Sequence, residues 1–125
     1  MFKISAFALG FGLIAGMAGA QTAPTPDMAV AAAKNQLGVL EYCVAQGYIG
    51  ADAIEVQARM LDMMPPVEDK AALDEAYAKG QAGTVSAMGV EQALADAAAA
   101  QGTDEKALCD QLSTMVVQAG EQLPK

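Results

Sequence analysis

Histidine and tryptophan are missing from this chain, and its three phenylalanines, Phe2, Phe7 and Phe11, all fall near its start. Without histidine there is no Ser-His-Asp set, no imidazole metal ligand and no basic imidazole to activate a thiol. Side-chain charge therefore changes little between about pH 5 and 8. Past Phe11 the only aromatic residues are Tyr42, Tyr48 and Tyr77, so stacking platforms for sugars or bases are nearly absent. The core has to be built from Leu, Val, Met, Ile and Ala. Basic side chains are scarce as well: seven Lys and Arg stand against fifteen Asp and Glu, a formal charge of −8. A phosphate backbone or an anionic membrane would repel such a surface, which argues against nucleic acid as a partner. No phosphate-cradling glycine loop and no zinc signature is found.

What is present at the start is a leader. Lys3 precedes a mostly apolar run, Ile4 to Met17, and Ala18-Gly19-Ala20 forms a small-x-small cleavage site. This is the layout of a secretory signal peptide over residues 1–20. The run is shorter than the roughly 20 apolar residues that a membrane-spanning helix needs. No cysteine follows the cut to carry a lipid. Residues 21–25 read as a flexible tail and 26–125 as a single helical domain, periplasmic or secreted, with no stable membrane insertion after cleavage. Loss of Lys3 leaves six basic side chains against fifteen acidic ones, a formal charge of −9.

The spacing predicts an all-α chain, a small bundle of four to five short helices. Thr25-Pro26-Asp27 opens the first, with threonine as the cap and proline in the first turn; Val30, Ala33, Leu37, Leu40 and Val44 recur at helical spacing to residue 46. Asp52 with Glu55 has a capping-box pattern that opens a second helix, ended by Pro65-Pro66. Glu68-Asp69 start a third. Residues 81–89 are ambiguous, either a loop or a first turn capped by Thr84. A fourth helix is expected from Val90 to Gly102, and Thr103-Asp104-Glu105 cap a fifth that ends near Gly120. Gly47, Gly80, Gly102 and Gly120 read as recurrent glycine stops. No window alternates apolar and polar residues with β-branched residues at strand length.

Only two cysteines occur. Cys43 falls in the last turn of the first helix and Cys109 in the second turn of the fifth, each at the edge of an apolar stripe. In an exported chain two such residues pair. The bridge would close a loop of about 67 residues, for which chain entropy credits roughly 4 kcal/mol. A redox pair would more typically be Cys-x-x-Cys, and a zinc site would need further Cys or His.

The carboxylates sort mainly by helix position. Asp27, Asp52, Glu55, Glu68, Asp69, Glu91, Asp104 and Glu105 fall at expected helix starts, where the macrodipole favours them. Glu75 and Lys79 make a favourable four-apart pair. The remainder, Glu41 among them, read as a scattered solvated surface. Catalysis would need two carboxylates converging in space; the expectation is a protein that is not an enzyme and has no cofactor.

The second helix carries an unusual cluster, with Val56, Met60, Met63 and Met64 on one side and Ile54, Ala58 and Leu61 on another. Three readings stand side by side. It is a central helix buried on two sides; or an adaptable binding face, since unbranched, polarizable methionines suit varied partners; or Met60-x-x-Met63 supplies thioether ligands to Cu(I). In plan the chain resembles the small periplasmic acid-stress chaperones: short, all-helical, one long-range disulfide, no cofactor. No diagnostic run of residues is shared with them. That likeness implies a chaperone-like binder acting through protein–protein contact, with a homodimer as another way to cover the face. Metal handling and a plain envelope structural protein are the alternatives.

Overall fold

The structure, a computed structural model, describes residues 25–87 and 89–124. The leader expected over 1–20, most of the tail, Met88 and Lys125 lie outside the described residues. Five helices and one hairpin follow in the order α1 (Pro26–Ala45), α2 (Asp52–Asp62), α3 (Lys70–Gln81), β1 (Thr84–Ala87), β2 (Val90–Ala93), α4 (Leu94–Ala100) and α5 (Glu105–Gly120). No helix among the described residues is long and apolar enough to cross a membrane.

Helix starts are set by local chemistry. The Thr25 hydroxyl accepts from the Met28 N–H with Pro26 in the first turn, Asp69 accepts from the Ala72 N–H, and Asp104 accepts from the Ala107 N–H. Each supplies one partner to the unpaired donors of a first turn. The capping box at Asp52 does not form: Ala51 is the cap residue, without a side-chain bond, and Asp52 is already helical. Pro65-Pro66 follow α2 closely, as expected, because the residue before a proline is pushed from the α region.

Expectation and structure part at residues 84–93. These form an antiparallel hairpin, with Thr84 opposite Ala93 and Ala87 opposite Val90, so the chain is mostly helical rather than all-α. Gly83 and Gly89 have φ of +86° and +81°, a region L side chains rarely enter; the first turns the chain out of α3 and the second closes the two-residue connection between strands. The Leu94 N–H continues the ladder by donating to the Gly83 carbonyl at 2.8 Å. Helix α4 therefore begins four residues later than Val90, and Glu91 sits in a strand, paired with Lys79.

α1 is the central helix. Leu37, Gly38, Val39 and Leu40 are consecutive and all buried, which requires neighbours on nearly every side. α3 crosses it at very close range through Gly38 and Gly80. A Cβ on Gly38 would come within 3.0 Å of the Gly80 Cα, and one on Gly80 would meet the Asn35 carbonyl and, at 2.8 Å, the Val39 nitrogen. Gly80 is thus not a helix stop but a contact point inside α3. Gly120, likewise within α5, lies against Val56 of α2. Only Gly47 and Gly102, at φ +76° and +69°, are stops of the expected kind.

The core has two parts on the flanks of α1. Val39, Cys43, Leu94 and Cys109 form one, and Leu40, Ala53 and Val116 form the other, with Ile49 and Leu112 packed against both. Cys43 and Cys109 are fully buried and bonded, with 2.08 Å between sulfurs and 5.7 Å between Cα atoms, so α5 is tied to the last turn of α1.

Candidate functional site

The second core region is incompletely covered. α2 and α5 lean against α1 and leave between them a cleft of about 380 Å³. Its walls are Met60 and Met64 from α2 and its distal end, Met115 and Val116 from α5, and Ala33 and Gln57 at the base. Residues four apart on a helix share a face, so Met60 and Met64 line the wall together. Met115, one helical position before the buried Val116, is 58% exposed.

The expected interaction residues separate in space. Met60 and Met64 meet in the cleft; Val56 turns inward onto Gly120 and the second core region; Met63 is 59% exposed and is not part of the cleft wall. The Met60-x-x-Met63 pair therefore does not share the cleft, whereas Met60, Met64 and Met115 do. Among the described residues no group of three or more His, Cys, Asp or Glu is placed to hold a metal ion.

Gln36 and Gln57 are the polar residues of the cleft lining, and Gln57 is the buried one. The residue is 2% exposed. Its Nε2 donates to the Ala33 carbonyl at 2.9 Å, which ties α2 to α1, but its Oε1 is buried and has no hydrogen-bond partner. A buried acceptor left unpaired costs about 1–3 kcal/mol. Exposed methionines elsewhere are ordinary; a sealed, unpaired carbonyl oxygen beside three thioethers is not. A second hollow of about 340 Å³ lies between α1, the hairpin, α4 and α5. It has a floor of Val39, Leu94 and Leu112 and no such orphan.

Where α1 faces α3 and the hairpin, polar bonds cross-link the three elements. Asn35, also 2% exposed, donates through Nδ2 to the Ala76 carbonyl at 2.9 Å and the Thr84 carbonyl at 3.0 Å, and its Oδ1 accepts from the Ser86 N–H at 2.9 Å. In an antiparallel pair alternate residues point their backbone groups outward. Thr84 and Ser86 are the outward pair of β1, so the Asn35 amide occupies the place of a third strand. No periodic pattern in the sequence marks either amide.

All three tyrosines donate to carboxylates. Tyr77 bonds Glu41, with Gln81 also donating to Glu41 at 2.9 Å; Tyr42 and Tyr48 both reach Glu105, at 3.0 and 3.4 Å. Glu41 is therefore not a free surface charge, and Glu105 serves more than a helix start. The bond to Glu41, with some burial, pushes the Tyr77 hydroxyl up from 10.0 to about 12, and burial, then Glu105, raises that of Tyr42. Lys34 lies 5.2 Å from the Tyr77 ring centre. These bonds hold the Tyr77 ring against α1 and tie Tyr42 and Tyr48 to the first turn of α5.

Comparison with protein-family models, with curated proteins and with solved structures finds no match to this chain.

Proposed function

We propose that this chain is an exported, non-catalytic protein that acts through protein–protein contact, holding apolar side chains of a partner polypeptide in the cleft walled by Met60, Met64 and Met115. The observation that carries the reading is the cleft itself: thioethers from two helices border a partly open apolar hollow on a frame cross-linked at Cys43 and Cys109. Methionine is unbranched and flexible, so such a wall adapts to differently shaped residues. The chain as a whole is acidic, which favours solubility, while none of the residues lining the cleft is charged. A chaperone-like role under acid stress fits the same features, because protonation of the carboxylates near pH 2 to 3 would swing the processed chain from −9 towards about +6. The disulfide would hold α1 to α5 through that change.

The test is suppression of light scattering by a reduced, aggregation-prone client protein at pH 7 and pH 3, with binding of an apolar dye measured alongside. The oxidised protein is expected to suppress scattering, and the double variant Met60→Ser/Met115→Ser to lose most of that effect while keeping its helical circular dichroism. Absence of suppression and of dye binding at both pH values overturns the reading; loss at pH 3 alone removes the acid-stress part.

Soft-metal handling is the second reading, favoured by the convergence of three thioethers on one cleft. Cu(I) would then use Met60, Met64 and Met115 rather than Met60 with Met63. Anaerobic Cu(I) titration with unchanged affinity in Met60→Ala and Met115→Ala discards it.

A further inference from the structure

The cleft is mostly apolar; two amides, Gln36 and Gln57, line it, and the Gln57 Oε1 is buried without a hydrogen-bond partner. Gln57 Oε1 can only accept a hydrogen bond, and the Gln57 amide is already anchored through Nε2 to Ala33, so it cannot turn away to find one. What completes the site must bring an N–H or O–H donor. The cleft that Gln57 lines is walled by the thioethers of Met60, Met64 and Met115, and sulfur packs favourably against aromatic rings. Met60 and Met64, which line the cleft together with Gln57, have side chains of three rotatable bonds that can part without moving either helix. None of the cleft-lining residues is charged, and the chain as a whole is strongly acidic, so a neutral ligand is favoured over an anion. A volume of about 380 Å³ lies in the range of pockets that take one ring and its immediate surroundings.

From this geometry we infer that the cleft binds a neutral aromatic side chain bearing one hydrogen-bond donor, an indole above all, presented by a partner polypeptide, with the ring against Met60, Met64 and Met115 and the donor on Gln57 Oε1. This rests on the cleft being the interaction site and names the residue it selects. The chain cannot supply that ring to a second copy of itself. It has no tryptophan, its phenylalanines carry no donor, and Tyr42, Tyr48 and Tyr77 are each committed to a carboxylate. The occupant is therefore a different polypeptide.

The experiment titrates the full disulfide-bonded protein with N-acetyl-tryptophanamide, its 1-methylindole counterpart, N-acetyl-phenylalaninamide and free indole. Methionine methyl NMR reads all four, and because the chain has no tryptophan, indole emission reads the tryptophan probe without background. N-acetyl-tryptophanamide should bind saturably, shift the Met60, Met64 and Met115 methyls and leave Met28 unmoved. The 1-methyl and phenyl probes should bind about fivefold more weakly, the loss expected of one hydrogen bond. Gln57→Leu should erase that difference, and Met115→Ala, an exposed position, should weaken all the probes. Equal affinity of the tryptophan, 1-methyl and phenyl probes in the wild-type protein overturns the donor requirement while leaving the cleft as an apolar binding site. Binding of free indole without the tryptophan amide makes it a small-molecule pocket and overturns the polypeptide assignment. No shift at the cleft methionines with any probe removes the inference and the proposed function together.

Discussion

Asn35 and Gln57 are both primary amides, both 2% exposed, and they are used in opposite ways. Asn35 spends two donated bonds and one accepted bond on backbone groups of α3 and β1, so it cross-links α1, α3 and the hairpin. Gln57 makes one bond and leaves its oxygen empty, on the α1–α2–α5 side where a cleft opens. Backbone contact differs in parallel. On the Asn35 side two glycines bring α1 and α3 nearly into main-chain contact, whereas on the Gln57 side methionines stand between the helices. The lesson is that burial alone does not tell a structural amide from a functional one; the count of satisfied lone pairs and protons does.

The largest test of that contrast is Asn35→Ala. It strips the Ser86 N–H and the Thr84 carbonyl of their partner and opens a cavity, and should cost about 3 kcal/mol in urea unfolding. A loss below about 1 kcal/mol would mean that water replaces the amide and that the Asn35 bonds do not hold these elements together. Next comes Gly80→Ala. Alanine would gain about 1 kcal/mol of helix propensity, but the added methyl meets the α1 backbone at Asn35 and Val39, which has no flexible end to yield. The clash should win, for a net loss of about 2 kcal/mol; a stabilised variant would show that the helices can part.

A smaller effect is read by alkaline titration on the same side of α1. Tyr77 should ionise near pH 12 by ultraviolet absorbance, and Glu41→Gln, which removes the largest cause, should bring it back towards 10.0. The folded state favours the protonated phenol, so this contribution is intact below the unfolded pKa of about 10 and is lost as pH rises through the folded value. Smallest of all is Gln57→Leu. One bond to Ala33 is exchanged for removal of an unpaired buried oxygen, so stability should stay within about 1 kcal/mol of wild type. If Gln57→Leu were as damaging as Asn35→Ala, the two amides would be alike and the cleft would have lost its distinguishing atom.

Much of the helical frame is legible in the residues because its signals are local. Thr25, Asp69 and Asp104 each cap within three residues of themselves, and Gly47 and Gly102 stop helices by their own φ. The cysteine pairing was legible because so few alternatives exist. The hairpin was not: strands of four residues are too short for an alternating pattern, and β1 is held by an amide 51 positions away from Ser86. Gly38 was an available clue, since a glycine inside a helix costs about 1 kcal/mol against alanine and so marks a close approach. Of the proposed site, Met60 and Met64 were visible as a helical cluster. Met115 and Gln57 were not, because their meeting depends on how α5 and α2 lie on α1, which no run of residues encodes.

The bond between Cys43 and Cys109 has a consequence for how the chain withstands proteolysis. With a sequence separation of 66, it turns the middle of the chain into a closed ring that carries α2, α3, the hairpin and α4. A protease that cuts once anywhere in that ring, at the exposed Pro65-Pro66 segment for instance, leaves both pieces on one covalent molecule, still held beside each other. Such a nick changes electrophoretic mobility only after reduction. The polypeptide can thus be clipped and continue as a single particle, losing mass only from the lengths before Cys43 and after Cys109.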